Sequence, residues 1–257
     1  MHFEQWIKGF CLAVLLFYCQ GVAASNEPNP QAMKKISRYL LPYEHPIKEK
    51  LDGIFGRSRV LLNLNTIKKA GFINAKPRKH THLIVTSHPN MQGYIFKLYL
   101  DAQYLRRQVS EEHFWLLRIR GARAIKKEII KNHWEHLFCV PKKWIYLLPK
   151  KPSAPQEYFS KHTILVEQDM QLCPSKTNIK KWAQVTPDVL DKLFYLLETL
   201  GLHDCAKPDN IPFTEEGKIA FIDTQTHQEW PVAYDKLTHY LSPEMQKYWK
   251  KLTVSAK

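Results

Sequence analysis

Apolar residues fall at helical spacing through 187–200, behind Thr186 as a capping residue, and predict an amphipathic helix there. A longer helix is predicted over 110–134, with Gly121 as its weak point. Strands are predicted at 82–87 and 94–100. The loop between them, His88-Pro-Asn-Met-Gln-Gly93, has the residues a hairpin turn needs. Further strands fall at 144–148 and within 163–170, where Ile164, Leu165 and Val166 precede a polar end at Glu167 to Met170. Two short apolar runs, 211–213 and 219–222, flank Glu215-Glu216-Gly217 and predict a tight hairpin. Weaker helical patterns cover 31–41, 47–55, 232–241 and 243–252.

Residues 1–24 read differently. Lys8 gives a basic start, 10–18 is an apolar run, and Val22-Ala23-Ala24 offers small residues for cleavage before Ser25. The expectation is a signal peptide and an exported protein, secreted or periplasmic. An N-terminal membrane anchor is the alternative, although the uncharged run is short for a full span. Residues 25–75 are expected to form an N-terminal helical extension. Beyond residue 24 the cysteines are Cys139, Cys173 and Cys205, without metal-binding spacing, and three cannot all pair within one chain. No internal repeat or low-complexity tract occurs.

The net charge of +14 favours acidic partners, such as nucleic acid, an acidic protein, an anionic membrane surface or nucleotide phosphates. The lysine pairs are equally consistent with a solvated surface, and no specific nucleic-acid motif interleaves them with stacking aromatics. His133 and His136 lack a third ligand at recognisable spacing and read as surface or packing residues.

The chemistry concentrates at 201–224. Asn210 and Asp223 stand at the two ends of the predicted hairpin, so an amide oxygen and a carboxylate return to one place. Hard divalent cations take such oxygen ligands. His203, Lys207, Pro208, Asp209 and Asn210, followed by Ile222-Asp223-Thr224, resemble the catalytic-loop and metal-binding motifs of the protein-kinase-like fold. The resemblance covers roughly 83–224. It implies an α+β, two-lobed architecture, with a small sheet lobe and hinge over 76–170 and a reduced helical lobe over 171–257. It implies ATP with Mg2+ or Mn2+ held at Asn210 and Asp223, and Lys207 near the transferred phosphate. Cys205 occupies the position of the catalytic aspartate, with Asp204 one place before it as the candidate substitute.

In the first lobe the resemblance makes Lys97 the phosphate-binding lysine of its strand. Glu128 becomes its helix partner, 16 residues before Trp144, ahead of Glu111 and Glu112. Backbone groups from Gln168 to Met170 would face adenine. No glycine-rich phosphate loop occurs, and Lys76, Arg78 and Lys79 stand where it would be. The expected function is an exported kinase-like protein that binds ATP and transfers phosphate or nucleotide. The alternatives are a catalytically inactive pseudokinase acting as a binding module, and a basic exported protein that binds anionic surfaces.

Overall fold

Alternating side chains on five strands build the central sheet of the protein. A computed structural model describes residues 30–77, 82–103 and 109–254. The strands are β1 (Ile73–Pro77), β2 (Ile84–Ser87), β3 (Tyr94–Leu98), β5 (Lys143–Leu147) and β6 (Thr163–Gln168), in the order β1-β2-β3-β6-β5. All neighbours are antiparallel. A separate parallel pair joins β4 (Phe138–Cys139) to β7 (Ile219–Ala220). The architecture is α+β.

The two faces of the sheet follow the period of two. Ile84, Phe96, Leu98, Tyr146, Ile164 and Val166 lie on one face and are buried. Leu51, Phe55 and Ile67 pack against them, from α2 (Lys48–Arg57) and α3 (Leu64–Lys69). The 25–75 stretch is therefore no appendage where it is described. Its helices cover the sheet, Leu41 N–H donates to Ile145 C=O at 2.8 Å, and β1 is the edge strand. Asn63 starts α3 by accepting from the N–H groups of Asn65 and Thr66, while Thr66 Oγ1 accepts from Asn63 N–H.

The other face carries Leu83, Ile145 and Leu165, covered by Trp115, Leu116 and Ile119 of α4 (Glu111–Lys131). Ile36, at the end of α1 (Pro30–Ile36), joins this cluster. The helix α4 is continuous over 21 residues, so Gly121 does not break it. Gly121 instead permits a close approach. A Cβ there would lie 2.0 Å from the carbonyl oxygen of Thr224, whose hydroxyl donates to Arg118 C=O at 2.5 Å.

Farther along α4, Ile125 and Ile129 enter a second core. That core contains Leu190, Leu193, Leu196 and Leu197 of α6 (Pro187–Leu200), together with Phe138, Phe221 and Trp249. Trp249 belongs to α8 (Pro243–Val254), and the short helices α5 (Ser175–Trp182) and α7 (Asp235–Thr238) complete this side. Gly201 ends α6 in the left-handed region, at φ 56°. Cys139, Cys173 and Cys205 are all free thiols. No helix among the described residues is long and apolar enough to cross a membrane. The signal-peptide expectation, at 1–24, lies outside the described residues.

Two glycines in helices should respond oppositely to alanine. Gly121→Ala drives a methyl into backbone and should cost about 1–3 kcal/mol, the usual scale of overpacking. Gly53, in α2, has nothing within 4 Å. There the same change should stabilise by about 0.4–1 kcal/mol. Urea denaturation measures both, and a Gly121→Ala midpoint equal to the parent would refute the close approach.

Candidate functional site

The register of β3, β6 and β5 brings three charges together on the α4 side of the sheet. Glu167 stands opposite Ile95 on one neighbour and Lys143 on the other, and Lys97 is two residues along from Ile95. Glu167 Oε2 lies 2.9 Å from Lys97 Nζ, and Oε1 lies 2.6 Å from Lys143 Nζ. All three side chains are buried. Burial pushes the Glu167 carboxyl upward, but Lys143 and Lys97 outweigh it and hold the group below the usual carboxylate range. Burial also drives Lys143 down to about 8, against the pull of Glu167. Each ammonium donates in addition to Ile222 C=O, at 3.1 Å. The charge cluster is thus tied to the residue preceding Asp223.

Asp223 arrives there through the predicted hairpin. Thr214 N–H donates to Lys218 C=O at 2.7 Å, Ala220 N–H to Pro212 C=O at 2.8 Å, and Ile222 N–H to Asn210 C=O at 3.0 Å. Asn210 is buried, and its Nδ2 donates to Asp204 C=O at 2.6 Å. The Asp223 carboxylate is ion-paired with Arg118 of α4, while 28% of its side chain stays open. Burial raises this carboxyl. Arg118 first, then Lys97 and Lys143, overcome that and hold it far below the ordinary range. Cys205 is sealed behind it, its thiol donating to Asp223 C=O at 3.1 Å. Burial, then the charges of Asp223 and Asp204, push that thiol up, so it is protonated at neutral pH.

These groups border a cleft of about 440 Å³. Lys97, Gln168, Met170, Asn210 and Asp223 all line it, together with apolar Leu83, Val85, Ile95, Leu172 and Ile222. Asp169, Asp209 and Glu215 stand at its more exposed rim. Neither Met170 N–H nor its C=O makes a hydrogen bond among the described residues.

Three expected site residues lie elsewhere. Glu128 is not the partner of Lys97. It accepts from Lys131 Nζ and Tyr195 Oη, both at 2.9 Å, and from Asn132 Nδ2 at 3.1 Å. It lies ten residues beyond Arg118, roughly 15 Å along the helix axis at the usual rise. Glu111 sits at the opposite end of α4, where its Oε1 accepts from His162 N–H and Thr163 N–H. The α4 side chain that reaches the cluster is therefore Arg118. Asp204 is ion-paired with Lys236, and neither it nor Lys207 lines the cleft.

At the divalent-metal site expected at Asn210 and Asp223, Arg118 competes with a cation, because its guanidinium already pairs with one oxygen of the Asp223 carboxylate. No group of three or more His, Cys, Asp or Glu suited to a metal occurs among the described residues. The Lys76 side chain and residues Arg78 and Lys79, expected over phosphate, lie outside them.

No family model matches this chain, and no curated protein matches it. Among solved structures, the complex of Rv3197 with erythromycin from Mycobacterium tuberculosis is similar over 87% of this chain, at 15% identity and a TM-score of 0.32. This chain spans 60% of that one. Neither a family nor a ligand follows from a likeness this shallow.

Sequence reading missed Arg118, Lys143 and Glu167. A signal was available for the first, since Arg118 shares the helical face of Trp115, Ala122 and Ile125, where a charge needs a partner. Glu167 closes a strand that is otherwise apolar from Ile164 to Val166.

Glu167→Gln should leave two buried ammonium groups without their counter-charge and cost about 3–5 kcal/mol. Glu167 and Asp223 both have folded-state values below their ordinary 4.5 and 3.8. The stability they confer is complete above those ordinary values and is lost as the pH falls through the folded-state values. Chemical denaturation followed from pH 7 downward should therefore show a steep acid limb below about 4.5 that is shallower in Glu167→Gln. An identical limb in the variant would place the titrating groups elsewhere.

Proposed function

We propose that the chain is a two-lobed, protein-kinase-like module whose cleft binds a nucleotide such as ATP, and that it acts as a pseudokinase. The observation that carries this reading is the convergence of Lys97, Gln168, Met170, Asn210 and Asp223 on one cavity. These residues come from strand, strand end and hairpin, up to 126 positions apart in sequence (97 to 223). An apolar slot formed by Leu83, Val85, Ile95, Leu172 and Ile222 suits a planar base. The unengaged backbone groups of Met170 suit the hydrogen-bonding edge of that base. Lys97, farther in, suits phosphate.

Two features favour binding over phosphoryl transfer. The Asp204 carboxylate is ion-paired with Lys236 and is not among the groups that line the cleft. Cys205, at the position of the catalytic aspartate, is buried and protonated, so it offers no base. Positioning and charge remain, but the proton acceptor is missing.

Differential scanning fluorimetry of the full chain with ATP and magnesium tests the reading. At a hundred times its dissociation constant, ATP should stabilise by about 2.7 kcal/mol. Val85→Trp, which fills the slot, should remove the effect while leaving the circular dichroism spectrum unchanged. No ADP should accumulate. Turnover near the ordinary kinase range of about 1–100 per second would make the protein an enzyme instead.

A further inference from the structure

We infer that the inner end of the cleft receives the phosphate groups of its ligand on protein cations, without a divalent metal. The inference rests on the nucleotide reading above. Its starting point is that Arg118 already pairs with one oxygen of the Asp223 carboxylate, the group at the hairpin end beside Asn210. Arg118 holds Asp223, and Arg118 cannot readily leave. Its backbone carbonyl accepts from Thr224, and Gly121 lets α4 approach the Thr224 carbonyl without room for a methyl group. Swinging the guanidinium away would take it from the Asp223 carboxylate while it stays buried, or require α4 to move, and either change is unfavourable.

The surrounding charge points the same way. Arg118, Lys97 and Lys143 face Asp223 and Glu167, so three cations against two carboxylates leave one net positive charge, 3 − 2 = +1. A dication entering beside Asp223 would meet that field, whereas a phosphate would be drawn into it. Lys97 lines the cavity and makes the direct contact. Arg118 and Lys143 act from behind, as positioning residues, through the carboxylates they hold. The rim has the opposite sign. Asp169, Asp209 and Glu215 repel a phosphate tail at the mouth, which orients the ligand with its phosphates inward. Arg118 thus fills electrostatically the place a metal would take.

The test measures ligand-induced thermal shifts of the full chain with ATP, adenosine and pyrophosphate, each in EDTA and in magnesium. The wild-type shift with ATP should be at least as large in EDTA as in magnesium, and larger than with adenosine. Arg118→Gln frees Asp223. Its ATP affinity in EDTA should fall about tenfold, the scale of a lost charge interaction, and magnesium should restore it. ATP binding that requires magnesium in the wild type would overturn the inference and leave the nucleotide reading standing. Absence of any shift, with every probe and in both buffers, would overturn both. A shift with pyrophosphate that ATP does not exceed would keep the metal-free phosphate site and remove the base slot. Should Arg118→Gln fail to fold, the wild-type comparison of EDTA with magnesium decides alone.

Discussion

Two ammonium groups buried on the strands either side of β6 would repel each other and lose their hydration, and Glu167 between them makes the arrangement tenable. Its two oxygens are divided, one to Lys97 and one to Lys143. Buried ion pairs of this kind add little net stability compared with apolar residues, since desolvation cancels much of the attraction. What they supply here is position. Both lysines also reach Ile222 C=O, so the sheet is anchored to the end of the hairpin that carries Asp223. From the opposite side Arg118 takes the Asp223 carboxylate and brings in α4. Removing Glu167 would loosen the cleft wall on three strands at once.

The helix α4 is the other half of this constraint. Its first half packs on the sheet through Trp115, Leu116 and Ile119, and its second half enters the helical core through Ile125 and Ile129. One rigid helix therefore ties the two cores together. Gly121 sets how closely the helix lies against the Asp223–Thr224 segment. Helix propensity alone would disfavour glycine there, and the need for contact with the Thr224 carbonyl outweighs it.

Much of this was legible in the amino-acid sequence, for reasons that also explain what was not. Strands β2, β3, β5 and β6 and helices α4, α6 and α8 carry periodic apolar residues, because each buries a face. The strand β1 contains Asn74, Lys76 and Pro77, poor strand formers that only an edge position tolerates, and α5 is mostly polar; neither gives a periodic signal. The packing of residues 30–77 on the sheet is a tertiary fact with no local signature. Within the site, Asn210 and Asp223 could be placed together because a tight hairpin leaves little freedom, and Lys97, Gln168 and Met170, named on the resemblance alone, line the same cleft. Glu128 failed because counting residues back from a strand fixes distance along a helix but not which charged side chain faces inward. Arg118 went unremarked because a basic residue in a chain of net charge +14 reads by default as solvated. Only its apolar neighbours on the helix contradict that, and they do so by period rather than by identity.

Glu167 and Arg118 hold Lys97 and Asp223 at one cleft, and the proposal is that phosphate is received there directly on Lys97. A crystal structure of the full chain grown with ADP and magnesium tests it most directly. The expected result is the diphosphate within hydrogen-bonding distance of Lys97 Nζ, the base beside Met170, and Arg118 still paired with Asp223. A magnesium ion bridging Asp223 and the diphosphate with Arg118 displaced, or ADP bound outside the cleft, would contradict the account.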